Sequence, residues 1–306
     1  MKVIAQAPSR ISIFGGGTDL PAYADQWGGI CLNMAINIRH KIVVGGKNKL
    51  TKEDSPDFFK AFTELPIEHE YDGSIEGGLG SSAGLAVALT GALYRYSKED
   101  IILKDIAEKA WDIETNSLKM FGGRQDQYCA AFGGVNVMEF GWRFFGKDVK
   151  VTPLSKDYIE WLLPHLVLFH TGFTRKSPKI QEGLKTLSDD QVFHLTIVKN
   201  MAIQGIEAIA NKDINKVADL MKQSWEAKKA SNKGVSNEEI DKIYEEGLKE
   251  GALAGKLLGS GGGGHFLNLV RPEAREAFIK KMEEKGLKWV DFSVDWTGLD
   301  VRILGR

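Results

Sequence analysis

Little in this chain suggests a covalent or metal-built framework. Its 306 residues include two cysteines, Cys31 and Cys129, with no C-x-x-C pair and no Cys/His grouping at zinc spacing. That excludes a disulfide scaffold and leaves two buried thiols in a reducing compartment as the expectation. No run approaches the ~18 apolar residues of a spanning helix. The opening residues, from Met1-Lys2-Val3 to Ser9-Arg10, lack the apolar core of a secretion signal. An excess of one charge is also missing: 40 Lys+Arg stand against 41 Asp+Glu, a formal net charge of −1. A bulk electrostatic footprint for nucleic acid or anionic membrane is therefore excluded, although a local basic site is not. Tandem repeats and low-complexity tracts are absent as well. These absences lead us to expect a soluble, cytoplasmic protein without nucleic-acid or membrane partners; a homodimer is left open.

What is present is an ordinary globular mix, 43% hydrophobic and 26% charged, with glycine over-used at 34 residues against a usual ~7%. The length suits two domains or one large one. Pro153 and Pro164 bracket a boundary, so lobes over 1–155 and 156–306 are expected. The first lobe should open with a strand over 2–14, broken at Pro8, followed by strands within 30–45. The stretch 47–78 is polar and mixed. From Ser82 to Ser97 the chain is apolar nearly all round, which predicts a buried helix. An amphipathic helix follows over 103–117, with Ile106, Ala110 and Ile113 on one face. Strands are expected at 134–140 and 165–170, then helices at 190–211, 213–231, 236–251 and 273–285, and strands at 265–270, 288–292 and 299–304. This is an α+β chain in two lobes.

The glycines are clustered, and the clusters carry the chemistry. Glu76-Gly77-Gly78-Leu79-Gly80-Ser81-Ser82-Ala83-Gly84 runs straight into the buried helix. A helix start has unpaired N–H groups and a partial positive charge, and glycines let backbone close around an anion. Ser81 and Ser82 add hydroxyls able to cap the helix, touch phosphate or ligate Mg²⁺. No Gly-Lys-Ser/Thr follows, so this is not a Walker A loop. The same residues fit G-x-S-x-G, the nucleophile elbow of hydrolases, but that needs a buried parallel strand ahead, and His69 to Glu76 are too polar for one. A second cluster, Gly259-Ser260-Gly261-Gly262-Gly263-Gly264, lies between a helix and a strand, where a backbone-built contact with a ligand or with the first loop is more economical than a linker. The third, Phe121-Gly122-Gly123-Arg124-Gln125-Asp126-Gln127-Tyr128, contains an aspartate that reads either as a helix cap or as a general base.

In this order the three clusters, with Ala7-Pro8-Ser9-Arg10-Ile11-Ser12 and Gly15-Gly16-Gly17-Thr18-Asp19-Leu20-Pro21 ahead of them, resemble the GHMP kinases over nearly the whole chain. Gly-Gly-Gly-Thr-Asp-Leu-Pro, Gly-Arg-Gln-Asp-Gln-Tyr and the segment Ser224-Trp225-Glu226-Ala227-Lys228-Lys229 are most similar to the heptose kinases of that family; the fucokinases share part of the pattern. The resemblance implies a ribosomal protein S5 domain 2-like N-terminal lobe and a ferredoxin-like C-terminal lobe. It also implies transfer of the ATP γ-phosphoryl group to the anomeric hydroxyl of a sugar, foremost D-glycero-D-manno-heptose 7-phosphate, for nucleotide-heptose and surface polysaccharide synthesis. A fucokinase- or galactokinase-like activity on an unphosphorylated sugar, or a catalytically silent sugar sensor, are the alternatives.

Carried onto matching positions, the resemblance assigns the ATP phosphates to Gly78, Leu79, Gly80, Ser81, Ser82 and Ala83. It assigns Mg²⁺ to Ser82 and Glu114, although Glu114 alone would read as an exposed helix carboxylate. Asp126 becomes the base for the sugar hydroxyl and Arg10 the cation beside it. Asp19, with Gly16, Gly17 and Thr18, would bind the sugar, as would Gly262 and Gly263. A phosphosugar needs a second anion site, for which Arg175, Lys176, Lys228 and Lys229 are candidates, the two helix lysines reading otherwise as a solvated face. His265 reads as a packed strand residue rather than a catalytic one.

Overall fold

A computed structural model describes residues 1–45, 60, 62–63, 65–73, 77–141, 149–173 and 186–304. Two antiparallel sheets organise it. The first takes strands β1 (Lys2–Phe14), β2 (Gly29–Val44), β3 (Ile67–Tyr71), β4 (Val135–Phe140) and β5 (Val149–Leu154), and it also recruits the last strand, β10 (Asp300–Leu304). Its order is β10-β1-β2-β4-β5, with β3 paired to β2. The second sheet runs β7-β8-β6-β9, from β6 (Leu166–His170), β7 (Ala254–Leu257), β8 (His265–Leu269) and β9 (Lys288–Val290).

The helices of seven or more residues are α1 (Pro21–Trp27), α2 (Ser81–Tyr96), α3 (Leu103–Asp112), α4 (Gln125–Phe132), α5 (Asp189–Ala210), α6 (Ile214–Ser231), α7 (Glu238–Lys249) and α8 (Arg275–Glu284). Helix α2 lies on β1 and β2, and Ala83, Ala86, Val87, Ala88, Leu89 and Ala92 are buried there. This all-round burial is what its apolar sequence demands. At its N-terminal end, α5 starts with a capping box between Ser188 and Gln191, which satisfies two otherwise orphaned amides.

Two expectations need correction. The strand expected to break at Pro8 runs unbroken from Lys2 to Phe14. Its register with β2 shifts between Pro8 and Ser9, from Arg39 to Ile36, and such an irregularity accommodates a residue without an N–H. The helix expected over 103–117 ends at Asp112 and continues as a wide turn over Ile113–Ser117, in which the Leu118 amide donates to the Ile113 carbonyl at 3.0 Å. That i→i+5 turn swings Glu114 inward, so it is buried, against the exposed position its spacing suggested. Finally, β10 pairs with β1, so the chain's last strand completes the sheet that its first strand begins. Elements without a counterpart in the sequence reading are α1, α4, β3, β5 and β7. The nucleophile-elbow reading fails on topology too, since β3 is antiparallel to β2.

Candidate active site

The two glycine loops meet backbone to backbone. A Cβ on Gly259 would stand 2.6 Å from the Gly78 Cα, and one on Gly78 would stand 2.9 Å from the Leu258 carbonyl oxygen. Only residues without a side chain allow that approach. His265, buried in β8, adds a tie through its Nδ1 to the Gly77 carbonyl at 2.5 Å. Burial holds that imidazole neutral, lowering it to about 4, so its N–H donates to the carbonyl.

Ahead of α2, Gly80 sits at φ +67°, a left-handed conformation that favours glycine. The first helical bond runs from the Gly84 amide to the Gly80 carbonyl at 3.0 Å, so the amides of Ser81, Ser82 and Ala83 precede the ladder, as an anion site needs. Neither serine caps the helix. Ser81 Oγ stands 2.9 Å from His40 Nε2, and His40 Nδ1 stands 3.0 Å from His69 Nε2. His40 is pushed down to about 3 by burial and then by the charge of His69, so it is neutral near pH 7. Ser82 Oγ donates to Glu114 Oε1 at 2.5 Å.

Three consecutive side chains at the start of α4 hold or supply three carboxylates. Gln125 donates through Nε2 to Asp19 Oδ1 at 2.8 Å and through its amide to Oδ2 at 3.2 Å. Asp126 accepts Arg10 Nε at 2.6 Å and Arg10 Nη2 at 2.7 Å, a bidentate ion pair. Gln127 Nε2 donates to Glu114 Oε2 at 2.8 Å. The Gln125 side chain is itself fixed by the Ser12 hydroxyl at 2.9 Å. Arg10 reaches further, donating through Nη1 to the Gly78 carbonyl at 2.5 Å, so one guanidinium joins the aspartate to the first glycine loop.

These groups face one cavity of about 600 Å³, whose lining includes Arg10, Asp19, Ser82, Glu114, Asp126 and Lys228. Burial raises Asp19 to about 6, the nearby Asp126 charge adding to it, while the amides of Gln125 and Gly17 oppose the rise. Glu114 is raised to about 7, mainly by burial, and none of the charged groups acting on it is a cation. A buried carboxylate without a counter-ion among the described residues, beside a hydroxyl oxygen, is the partial oxygen set that Mg²⁺ would complete with phosphate and water oxygens. The residues therefore fit the metal, although no cluster of three or more ligating side chains exists among the described residues.

Of the residues singled out in the sequence, the structure brings to the cavity Arg10, Gly16, Gly17, Asp19, Gly78, Gly80, Ser81, Ser82, Ala83, Glu114 and Asp126. Four others do not line it. Leu79 is buried in the core, and its carbonyl accepts the Arg10 amide at 2.7 Å. Thr18 folds back, its hydroxyl donating to the Gly15 carbonyl at 2.9 Å. Gly262 bonds through its amide to the Val235 carbonyl at 3.1 Å. A Cβ on Gly263 would meet the Phe173 carbonyl oxygen at 2.7 Å. Arg175 and Lys176 lie outside the described residues. Lys229 is tied to Glu226 at 3.0 Å and Asp241 at 3.4 Å. Lys228 points into the cavity, which overturns the solvated-face reading for it. The sequence reading missed Ser12, His40, Gln125, Gln127 and the buried Lys256. Gln flanking Asp on both sides was the legible signal for two of them.

Two family models match the chain, the GHMP kinases N terminal domain over residues 48–134 and the GHMP kinases C terminal over 206–288. A D-glycero-alpha-D-manno-heptose 7-phosphate kinase of Campylobacter jejuni is 32% identical over 337 aligned positions, covering 98% of each chain. A bifunctional fucokinase/GDP-fucose pyrophosphorylase of Arabidopsis thaliana is 26% identical, covering 91% of this chain and 31% of its own. Among solved structures, a D-glycero-D-manno-heptose 1-phosphate kinase from Bacteroides thetaiotaomicron superposes with a TM-score of 0.77 at 23% identity, over 99% of this chain and all of that one. Its fold is therefore the two-lobed α+β fold of that structure. No helix among the described residues is long and apolar enough to cross a membrane. With both family models matched in chain order, and a relative of that identity along its full length, this chain belongs to the GHMP kinases, phosphotransferases that use ATP to phosphorylate a hydroxyl group.

Proposed function

We propose that this kinase transfers the γ-phosphoryl group of ATP to the anomeric hydroxyl of a heptose phosphate, D-glycero-D-manno-heptose 7-phosphate. It does so in the cytoplasm, with lobes over 1–155 and 156–306, the last strand β10 crossing back to the sheet of the first lobe. The observation that carries the reading is the Arg10–Asp126 pair, clamped to the Gly78 carbonyl at the mouth of the phosphate loop and opening onto the same cavity as Asp19. The full-length similarity to a heptose 7-phosphate kinase supports the choice of acceptor.

The amides of Ser81, Ser82 and Ala83 and the Ser81 hydroxyl hold the ATP phosphates, while Ser82 and Glu114 would hold Mg²⁺. Bound there, the metal would supply charge neutralisation for the polyphosphate. Asp126 accepts the proton of the attacking hydroxyl through a carboxylate oxygen. Arg10 orients that carboxylate and places positive charge beside the developing alkoxide. Asp19, fixed by two Gln125 donors, accepts hydrogen bonds from neighbouring sugar hydroxyls. Little covalent chemistry is asked of the protein; positioning and charge do the rest.

The test is a phosphorylation screen with MgATP against heptose 7-phosphate, free heptose, fucose, galactose and mannose, the product position being read by NMR. Turnover of heptose 7-phosphate at the anomeric oxygen is the expected result. Equal turnover of free and 7-phosphorylated heptose refutes the phosphosugar assignment, and ATP consumption with none of the five refutes the sugar class.

A further inference from the structure

Helix α6 ends in two lysines with opposite surroundings. Lys229 is neutralised by Glu226 and Asp241 and lies over the Trp225 ring. Lys228 extends to the cavity, where its Nζ donates to the Gly259 carbonyl at 2.7 Å. No carboxylate lies within ion-pair distance of it among the described residues. An ammonium has three N–H donors, so the contact with Gly259 leaves two of them unused. Gly259 is the residue that touches Gly78, which anchors Nζ at the seam of the two glycine loops.

The other cations in the cavity lining are already committed. Arg10 is neutralised by Asp126 and also holds the Gly78 carbonyl. Lys256, also buried, spends two donors on the Ser12 and Ile13 carbonyls at 3.1 Å each. The groups whose charge acts on Lys228 are Arg10, Asp19, Cys31 and Asp126, and Lys256 in turn feels Lys228. The two lysines therefore repel one another, and desolvation brings them down to about 8 and about 7. Holding an unpaired ammonium away from water is costly, and a multiply charged anion between the loops removes both the desolvation and the repulsion cost.

We propose that Lys228 is a phosphate-binding residue of this cavity, its two unused N–H donors taking oxygens of a phosphoryl group, either the one carried by the acceptor or the one being transferred. This rests on the kinase reading above and adds a residue to its binding machinery. Lys228 completes what Arg10 cannot supply, since that guanidinium is spent on Asp126.

The experiment is steady-state kinetics of the full chain with MgATP and heptose 7-phosphate, comparing wild type, Lys228→Gln and Lys228→Arg, with melting temperatures alongside. Glutamine keeps a donor for the Gly259 carbonyl but removes the charge. If Lys228 grips the acceptor's phosphate, Lys228→Gln raises KM for heptose 7-phosphate by about tenfold or more and leaves KM for ATP within about twofold. If it grips the transferring group, kcat falls by about a hundredfold or more with both KM values near wild type. In either case arginine restores most of the loss, and the melting temperature of the glutamine variant is not lowered, since the substitution removes a desolvated charge. All three constants within about threefold of wild type, or a loss that follows a lowered melting temperature, overturns the proposal and leaves Lys228 as a tie to Gly259. Failure of the wild type to use heptose 7-phosphate refutes the acceptor assignment instead, and Lys228 is then tested by the same comparison on whichever acceptor is turned over.

Discussion

Replacing Glu114 by glutamine should stabilise the ligand-free protein and abolish its chemistry. The carboxyl is buried, and burial raises it from 4.5 to about 7. A carboxyl whose folded value lies above its unfolded value costs nothing below about pH 4.5. Its penalty grows as pH rises and is complete above about pH 7. With about 1.4 kcal/mol per pH unit, the ionised side chain costs the fold about 3 kcal/mol at pH 8 and under about 1 kcal/mol at pH 5. Glutamine removes the titration while keeping the shape. The Ser82 hydroxyl can still donate to the amide oxygen, and the buried Gln127 Oε1, which lacks a partner, can accept the new N–H if the Gln127 amide flips. Taking an unfolding entropy of about 0.6 kcal/mol/K for a chain of this size, the variant should melt about 5 °C above wild type at pH 8, and by about 1 °C at pH 5. The assay is thermal denaturation in EDTA at the two pH values, repeated with MgADP, which should stabilise wild type and leave the variant nearly unmoved. Turnover should fall by about three orders of magnitude. A melting difference equal at both pH values, or a variant that turns over normally, refutes the account of Glu114 as a carboxylate held in readiness for a cation.

Other substitutions probe the remaining parts. Asp126→Asn should lower kcat by about a thousandfold while MgATP binding persists in calorimetry; near-normal turnover removes Asp126 as the base. Gly80→Ala forces a side chain into φ +67° and sets its Cβ 3.2 Å from Asp126 Oδ2 and Arg10 Cγ. The backbone term of about 1–2 kcal/mol should lower melting by only about 2–3 °C, whereas kcat should drop by about tenfold or more because the ion pair is displaced. His40→Phe should raise KM for ATP about fivefold by freeing Ser81, and His40→Gln, which offers an amide N–H near the former Nε2, should recover part of that loss. Equal constants for the two variants would remove His40 from the positioning of Ser81.

How far the sequence could be read depends on whether a feature is local. The buried helix from Ser81 was legible because its apolar residues run unbroken behind a glycine loop. The amphipathic helices of the second half were legible from their periodicity, α7 for example falling within the expected 236–251. Pro8 misled, since its effect depends on whether the partner strand can slip register opposite it, as β2 does. Glu114 misled for a similar reason: the wide turn that buries it leaves no mark in the spacing of Ile106, Ala110 and Ile113. Lys256 was invisible because its ammonium is satisfied by carbonyls 243 and 244 residues away.

By itself the sequence determined the chemistry on offer: glycine loops that admit an anion, serines at a helix mouth, and an Arg and an Asp far apart in the chain. Only the tertiary structure decided their partnerships. It brings Arg10 onto Asp126 across 116 positions and lets Gln125 and Gln127 each steady a different carboxylate. It also turns one of two adjacent lysines to solvent-side acids and the other to the cavity. The physical reason is range. Backbone conformation and amphipathic burial are set by neighbours within a few residues, whereas ion pairs and desolvation act between groups that only the packing of two sheets and their helices brings within hydrogen-bond distance.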